Sequence, residues 1–219
     1  MQQFRRVIKR RALTLMLCAL SMLMAFQIMV GSAWAQTNYY VNGATGNDSY
    51  DGLSPVFTSG TNGPKATIQA GINVAAANDI VNVAAGTYIE QVVITTSLTL
   101  IGAGAVTTII KAPATLPIAS LVTSSIVDIN GTGISVDIGG FTVSGPGPSG
   151  CGSIGAGIFV RGGAYANIHD NKILDIRDDP FSGCQNGIGI IVGRLFLAPV
   201  ARRISQTISF PAIKRAASW

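Results

Sequence analysis

The fold turns on two stretches, "GISVDIGGFTV" (133–143) and "GAYANIHDNKI" (163–173). Laid one over the other with a shift of thirty, Gly133 meets Gly163, Val136 meets Ala166, Ile138 meets Ile168 and Val143 meets Ile173. A second column comes from "VDI" (127–129), "IFV" (158–160) and "IGI" (188–190), at shifts of 31 and 30. Self-similarity at a fixed period means stacked coils, each burying its apolar edge on the next. The segments are short, alternate in polarity and are broken by Gly, Asn and Pro, so each coil is strand and turn. The expectation is an all-β chain wound as a parallel β-helix.

Working outward, the alternation assigns faces. Val127, Ile129, Ile158, Val160, Ile188 and Ile190 are expected to point inward, and Asp128, Phe159 and Gly189 outward in one column. Ile168 and Ile173 point inward, His169 and Lys172 outward, and Asn171 bonds backbone at a corner. Upstream, only "KATIQAGINVAAAN" (65–78) reads as a helix, with Ile68, Ile72 and Val74 along one side. It is expected to cap the first coil.

The termini differ from this body. Residues 1–35 carry five basic groups and no acid, as do residues 194–219. The stretch 36–193 keeps five basic groups against all ten acids, a net charge of −5, although the whole chain is +5. A polyanion partner needs clustered Lys and Arg, so nucleic acid is not expected on the body. "MQQFRRVIKRR" is followed by the apolar run "ALTLMLCALSMLMAFQIMV" and by Ala33-Trp34-Ala35. This is the order of a cleaved secretory signal. The expectations are residues 1–35 as signal peptide, no stable membrane span after cleavage, and a secreted, periplasmic or cell-surface protein. A retained anchor is the other reading, since nineteen apolar residues approach spanning length. Residues 36–62 form an opening segment and 63–193 the coils. The last stretch, 194–219, breaks register and reads as a disordered tail or a shifted frame whose native continuation is lost.

Removing the signal leaves Cys151 and Cys184, both in the tripeptide "SGC" and 33 residues apart. Equivalent corners of adjacent coils sit ~4.8 Å apart, within reach of a disulfide. Two independent loop cysteines are the alternative.

The stretch "GPKATIQAGINVAAANDIVNVAAGTYIEQVVITTSLTLIGAG" (63–104) resembles the start of right-handed β-helix proteins of the pectin lyase-like superfamily. "YYVNGATGNDSYDGLSP" (39–55) is similar to the opening of exported members, and "ANIHDNKI" (166–173) to the repeat of carbohydrate-binding and sugar-hydrolysing β-helices and of periplasmic helpers of copper-site assembly. The resemblance implies a right-handed coil, and a protein that binds or degrades polysaccharide or a cell-surface glycan. Other readings are a non-catalytic adhesion module and a periplasmic accessory to metal-site assembly. Lyases of this kind hold Ca²⁺ on outward carboxylates and use Lys or Arg as base. Asp178 and Asp179 in "RDDP" are the Ca²⁺ candidates on that account, and an ordinary charged turn is the alternative. The "QDTL" and "DFIFG" patterns of pectin methylesterases are absent, which argues against esterase activity.

Asp128, Phe159 and Arg161 are the candidate sugar-binding strip, an aromatic face for sugar C–H groups beside charged groups for hydroxyls. "GNDSYDG" (46–52) offers Asn47, Asp48 and Asp51 as oxygen ligands, or a surface turn. His169 has no second His nearby, no Cys at ligand spacing and no visible orienting partner, so it reads as an outward polar side chain at a bend. No catalytic residue is identified.

Overall fold

The computed structural model describes residues 35–116, 124–180, 183 and 187–193. The signal and tail readings, 1–34 and 194–219, lie outside the described residues, and so does Cys184.

The chain is all-β apart from one short helix, and its strands form three parallel sheets. β1 (Asn38–Val41) precedes the helix α1 (Ile68–Val74). Four coils follow. They are β2 (Ile80–Val83), β3 (Gly86–Ile89) and β4 (Val92–Ile94), then β5 (Leu98–Gly102), β6 (Thr108–Lys111) and β7 (Ser125–Asn130). Next come β8 (Ser135–Gly139), β9 (Thr142–Ser144) and β10 (Ala156–Arg161), and last β11 (Tyr165–His169), β12 (Lys172–Leu174) and β13 (Ile188–Val192). Each coil gives one strand to each sheet. Sheet 1 runs β1-β2-β5-β8-β11, sheet 2 β3-β6-β9-β12 and sheet 3 β4-β7-β10-β13. The arrangement is that of a parallel β-solenoid.

Aliphatic side chains stack into columns down its axis. In sheet 1, Val81, Leu100, Ile138 and Ile168 are partners rung by rung, all 6% exposed or less. In sheet 3 the columns are Val92–Val127–Ile158–Ile190 and Ile94–Ile129–Val160–Val192. Tyr88, Ile110, Val143 and Ile173 line sheet 2. Burying one aliphatic side chain is worth about 1.5–3 kcal/mol, so these columns hold the rungs together. At the corner between sheets 1 and 2, Asn171 accepts from the Phe141 amide at 2.9 Å and donates to the Ile138 carbonyl at 2.9 Å. This satisfies backbone groups of the rung below. Gly140 and Asp170 hold the same left-handed corner thirty residues apart, with φ of 81° and 51°.

Three expectations need correction. The shift of thirty holds between β8 and β11, but β10 meets β13 at 32, because Ile158 pairs with Ile190 and Phe159 with Ile191. Gly189 therefore does not follow Phe159 in the outward column. A slip of two preserves the pleat, so Ile190 still packs on the core, whereas Ile188 is 51% exposed. The helix is shorter than 65–78: Thr67 is its N-cap and Ala75 its C-cap, and Val74 is exposed while Gly71 is buried. Its amides are met from both sides. Ala66 and Thr67 donate to Asp48, and Ile68 and Gln69 donate to Glu90 at 2.8 and 2.9 Å. The opening segment is also part of the stack. β1 pairs with β2, and the outer edge of β1 is covered by Gly52 and Lys65, which bond Tyr40.

Candidate functional site

The strip read from sequence does assemble, but as a closed cluster. Asp128 and Phe159 are register partners on β7 and β10, and Arg161 is two residues further along β10. The Arg161 guanidinium grips the Asp128 carboxylate with two hydrogen bonds, 2.9 and 2.7 Å, and lies 5.8 Å from the centre of the Phe159 ring. Asp128 is 2% exposed and Phe159 6%, although Phe159 is outside the core cluster. The bond from Asp128 raises the Arg161 pKa against the effect of burial. A buried ring and a paired carboxylate offer little to a sugar.

The Ca²⁺ candidates point apart. Asp178 is 1% exposed, and its oxygens accept from the Gly152 amide at 2.7 Å, the Ser153 hydroxyl at 2.9 Å and the Ile154 amide at 3.3 Å. Burial pushes its pKa up, but these bonds outweigh it and hold the group below the ordinary carboxylate value. Asp179 is exposed and faces Arg177 at 3.4 Å. The "GNDSYDG" carboxylates are occupied as well. Asp48 caps the helix, and Asp51 accepts from the Leu53 and Gly63 amides and the Asn62 side chain. Among the described residues no group of three or more His, Cys, Asp and Glu could hold a metal ion. Cys151 is disulfide-bonded; its partner lies outside the described residues.

The open surface is the outer face of sheet 1. Its buried residues, Val81, Val83, Leu98, Leu100, Val136, Ile138 and Ile168, alternate with accessible ones. Two outward columns result from the register. One is Asn38–Ile80–Thr99–Asp137–Asn167, and the other is Tyr40–Asn82–Ile101–Gly139–His169. Tyr165, 42% exposed, stands at the start of β11. The five rungs span about 19 Å at ~4.8 Å each.

His169 is far from a bland side chain here. Its Nε2 lies 2.8 Å from Asp137 Oδ1 and its Nδ1 3.0 Å from Asp170 Oδ2. The ring lies over Gly139, where a Cβ would come 2.4 Å from the imidazole, so only glycine on β8 permits this pose. Asn167 donates to the same Asp137 oxygen at 3.2 Å. The bond to Asp170 raises the His169 pKa, burial opposes it, and Asp137 raises it further. The sequence did contain the signal. Aligning 133–143 with 163–173 puts a glycine under His169 and an aspartate two positions before that glycine.

At the other end of the same face lies a cavity of about 280 Å³, lined by Tyr40, Asn82 and Ile101 with Pro55 of the opening segment. Among the described residues no helix is long and apolar enough to cross a membrane. No protein-family model matches the chain, and the curated proteins contain no match to it.

Proposed function

We propose that this chain is an exported, right-handed parallel β-helix protein of the pectin lyase-like kind, and that it binds polysaccharide along the outer face of sheet 1. The observation that carries the reading is the regular exposure of hydrogen-bonding and aromatic groups there, rung after rung. Tyr165, Asn167 and His169 are joined by Asp137, Thr99, Asn82 and Tyr40 on successive strands. A polymer with a repeating hydroxyl pattern is the ligand that such a ladder suits, and an aromatic ring beside amides and a carboxylate is the mix that takes sugar faces and hydroxyls together.

Binding without turnover is the favoured form. Asp48, Asp51, Asp128 and Asp178 are engaged by internal donors, and the two carboxylates beside the sheet 1 strip, Asp137 and Asp170, share the His169 imidazole. A surface or adhesion module therefore fits better than a lyase. The ligand of the strip is a secreted or cell-surface glycan.

The test is a glycan array with the wild-type chain, Tyr165→Ala, Asn167→Ala and Arg161→Ala. Tyr165→Ala and Asn167→Ala should each weaken retention about tenfold at unchanged stability, the loss of roughly one good contact. Arg161→Ala should act through stability instead, costing about 3 kcal/mol by leaving Asp128 buried and unpaired. Retention that survives both sheet 1 substitutions, or a wild-type chain that binds no glycan, overturns the reading.

A further inference from the structure

The cavity beside Tyr40 has a position that the binding reading does not by itself explain. It sits on β1, β2 and β5, the first three rungs of the same outer face. Its floor continues the column that leads to His169: Tyr40, Asn82 and Ile101, then Gly139, over which the His169 ring lies. Val41, Asn42, Val83, Ala84, Gly102 and Ala103, at the ends of these strands, also line it, and Pro55 comes from the segment beyond β1. Gly52 accepts from the Tyr40 amide at 2.8 Å, and Lys65 pairs with Val41, so the segment between them runs along the outer edge of β1. The cavity is thus bounded on the β1 side by this segment.

The block is built to stay in place. Tyr50 stacks on Phe57 with ring centres 5.0 Å apart, and Asp51 ties Leu53, Asn62 and Gly63 together at the base of the segment. Gly63 fits against the Tyr50 ring, where a Cβ would come within 2.7 Å. At about 280 Å³ the cavity is at the lower edge of the ~300–1,000 Å³ of small-molecule sites. It has the size for a terminal unit of a polymer rather than for several units. A tyrosine ring, a proline and an exposed isoleucine supply apolar faces, and Asn82 and Asn42 supply amides.

Resting on the binding reading above, we infer that this cavity receives the end of the glycan chain, so that the protein recognises a terminus and not an internal stretch. The rungs toward His169 then hold the units that follow. A chain that continued past the terminal unit would meet Pro55 and the covered edge of β1.

The experiment uses the full chain and titration calorimetry with neutral cello-, xylo- and manno-oligosaccharide series. Each sugar is offered with both ends free, with the reducing end converted to the alditol, and with the non-reducing end O-methylated. Modification of one end, and only one, should lower affinity about tenfold or more, the scale of a lost fitted contact. Affinity per chain should also stop rising once the oligomer spans the strip. Ile101→Trp, at a position 41% exposed, should remove the discrimination between free and modified ends while weaker binding remains. If both modified ends bind as well as the free sugar, and affinity keeps rising with length, terminus recognition is wrong while the strip reading stands. If no oligosaccharide of any series binds, the strip reading falls and takes this inference with it.

Discussion

His169 shows what a single residue gains from the rung spacing. Each of its ring nitrogens faces a carboxylate, so the doubly protonated ring satisfies both, and a neutral tautomer would turn a lone pair toward one of them. The fold therefore raises the His169 pKa above its ordinary 6.5, with Asp170 first among the causes. The folded state prefers the protonated ring. The resulting stabilisation is complete below the unfolded pKa and disappears as pH rises through the folded one. NMR titration of the chain's single histidine should report a midpoint above 6.5. Asp137→Asn and Asp170→Asn should each lower it, and the double variant should return it to the ordinary range; an unmoved midpoint in the double variant would refute the clamp. One orienting partner, Asp170, is the next residue in the chain, and the other, Asp137, is 32 residues away and is brought to the ring only by the stacking of β8 and β11. Asp128 and Phe159 illustrate the opposite difficulty. Alternation placed them outside the core, correctly, but strand parity carries no information about what Arg161 and other groups lay over that face.

At the scale of elements, the sequence exposed periodicity better than register. The corner Asn171, the left-handed pair Gly140 and Asp170, and the pairing of β8 with β11 follow from one shift of thirty. Sheet 3 departed from it because coils differ in the length of their connecting loops, and "IGIIV" offers apolar residues at several adjacent positions that fit more than one register. The helix was legible as an element and its ends were not. Propensity favours alanine-rich Ala75–Asn78, but the Ala76 amide donates to Asp79 instead, and Asn78 adopts φ 72°. What fixes the start is Glu90, whose carboxylate accepts from Ile68 and Gln69 across more than twenty residues. Glu90→Ala should cost about 1–2 kcal/mol, the value of a strong helix cap, read from the midpoint of urea unfolding. A change under about 0.3 kcal/mol would mean that Thr67 and Asp48 cap the helix sufficiently without it.

For the whole molecule, stacking makes stability a matter of neighbours. β5 and β8 are bonded on both sides within sheet 1, and β7 and β10 within sheet 3. The coil β11–β13 is bonded to one neighbouring coil among the described residues, and Leu174 and Ile188 on it are 49% and 51% exposed. Hydrogen exchange followed by mass spectrometry should find amides of β5, β7, β8 and β10 the slowest, and those of β11 and β12 exchanging through local opening well before them. Uniform protection across all four coils would show that the β11–β13 rung is covered as well as the middle ones. The body's net charge of −5 is likewise a property of the whole, visible only when the two basic termini are set apart from it.

The two-sided capping of α1 also imposes an order in time. Asp48 is made before the helix and Glu90 after it, so a chain emerging from its N-terminus has the acceptor for the Ala66 and Thr67 amides just ahead of the helix but not yet the acceptor for Ile68 and Gln69 in its first turn. Seven residues are too few to persist as an isolated helix. Ile68 and Gln69 gain their acceptor only once the strand preceding Glu90, β3, has been made. The start of the solenoid is thus completed retroactively, by the first rung it supports.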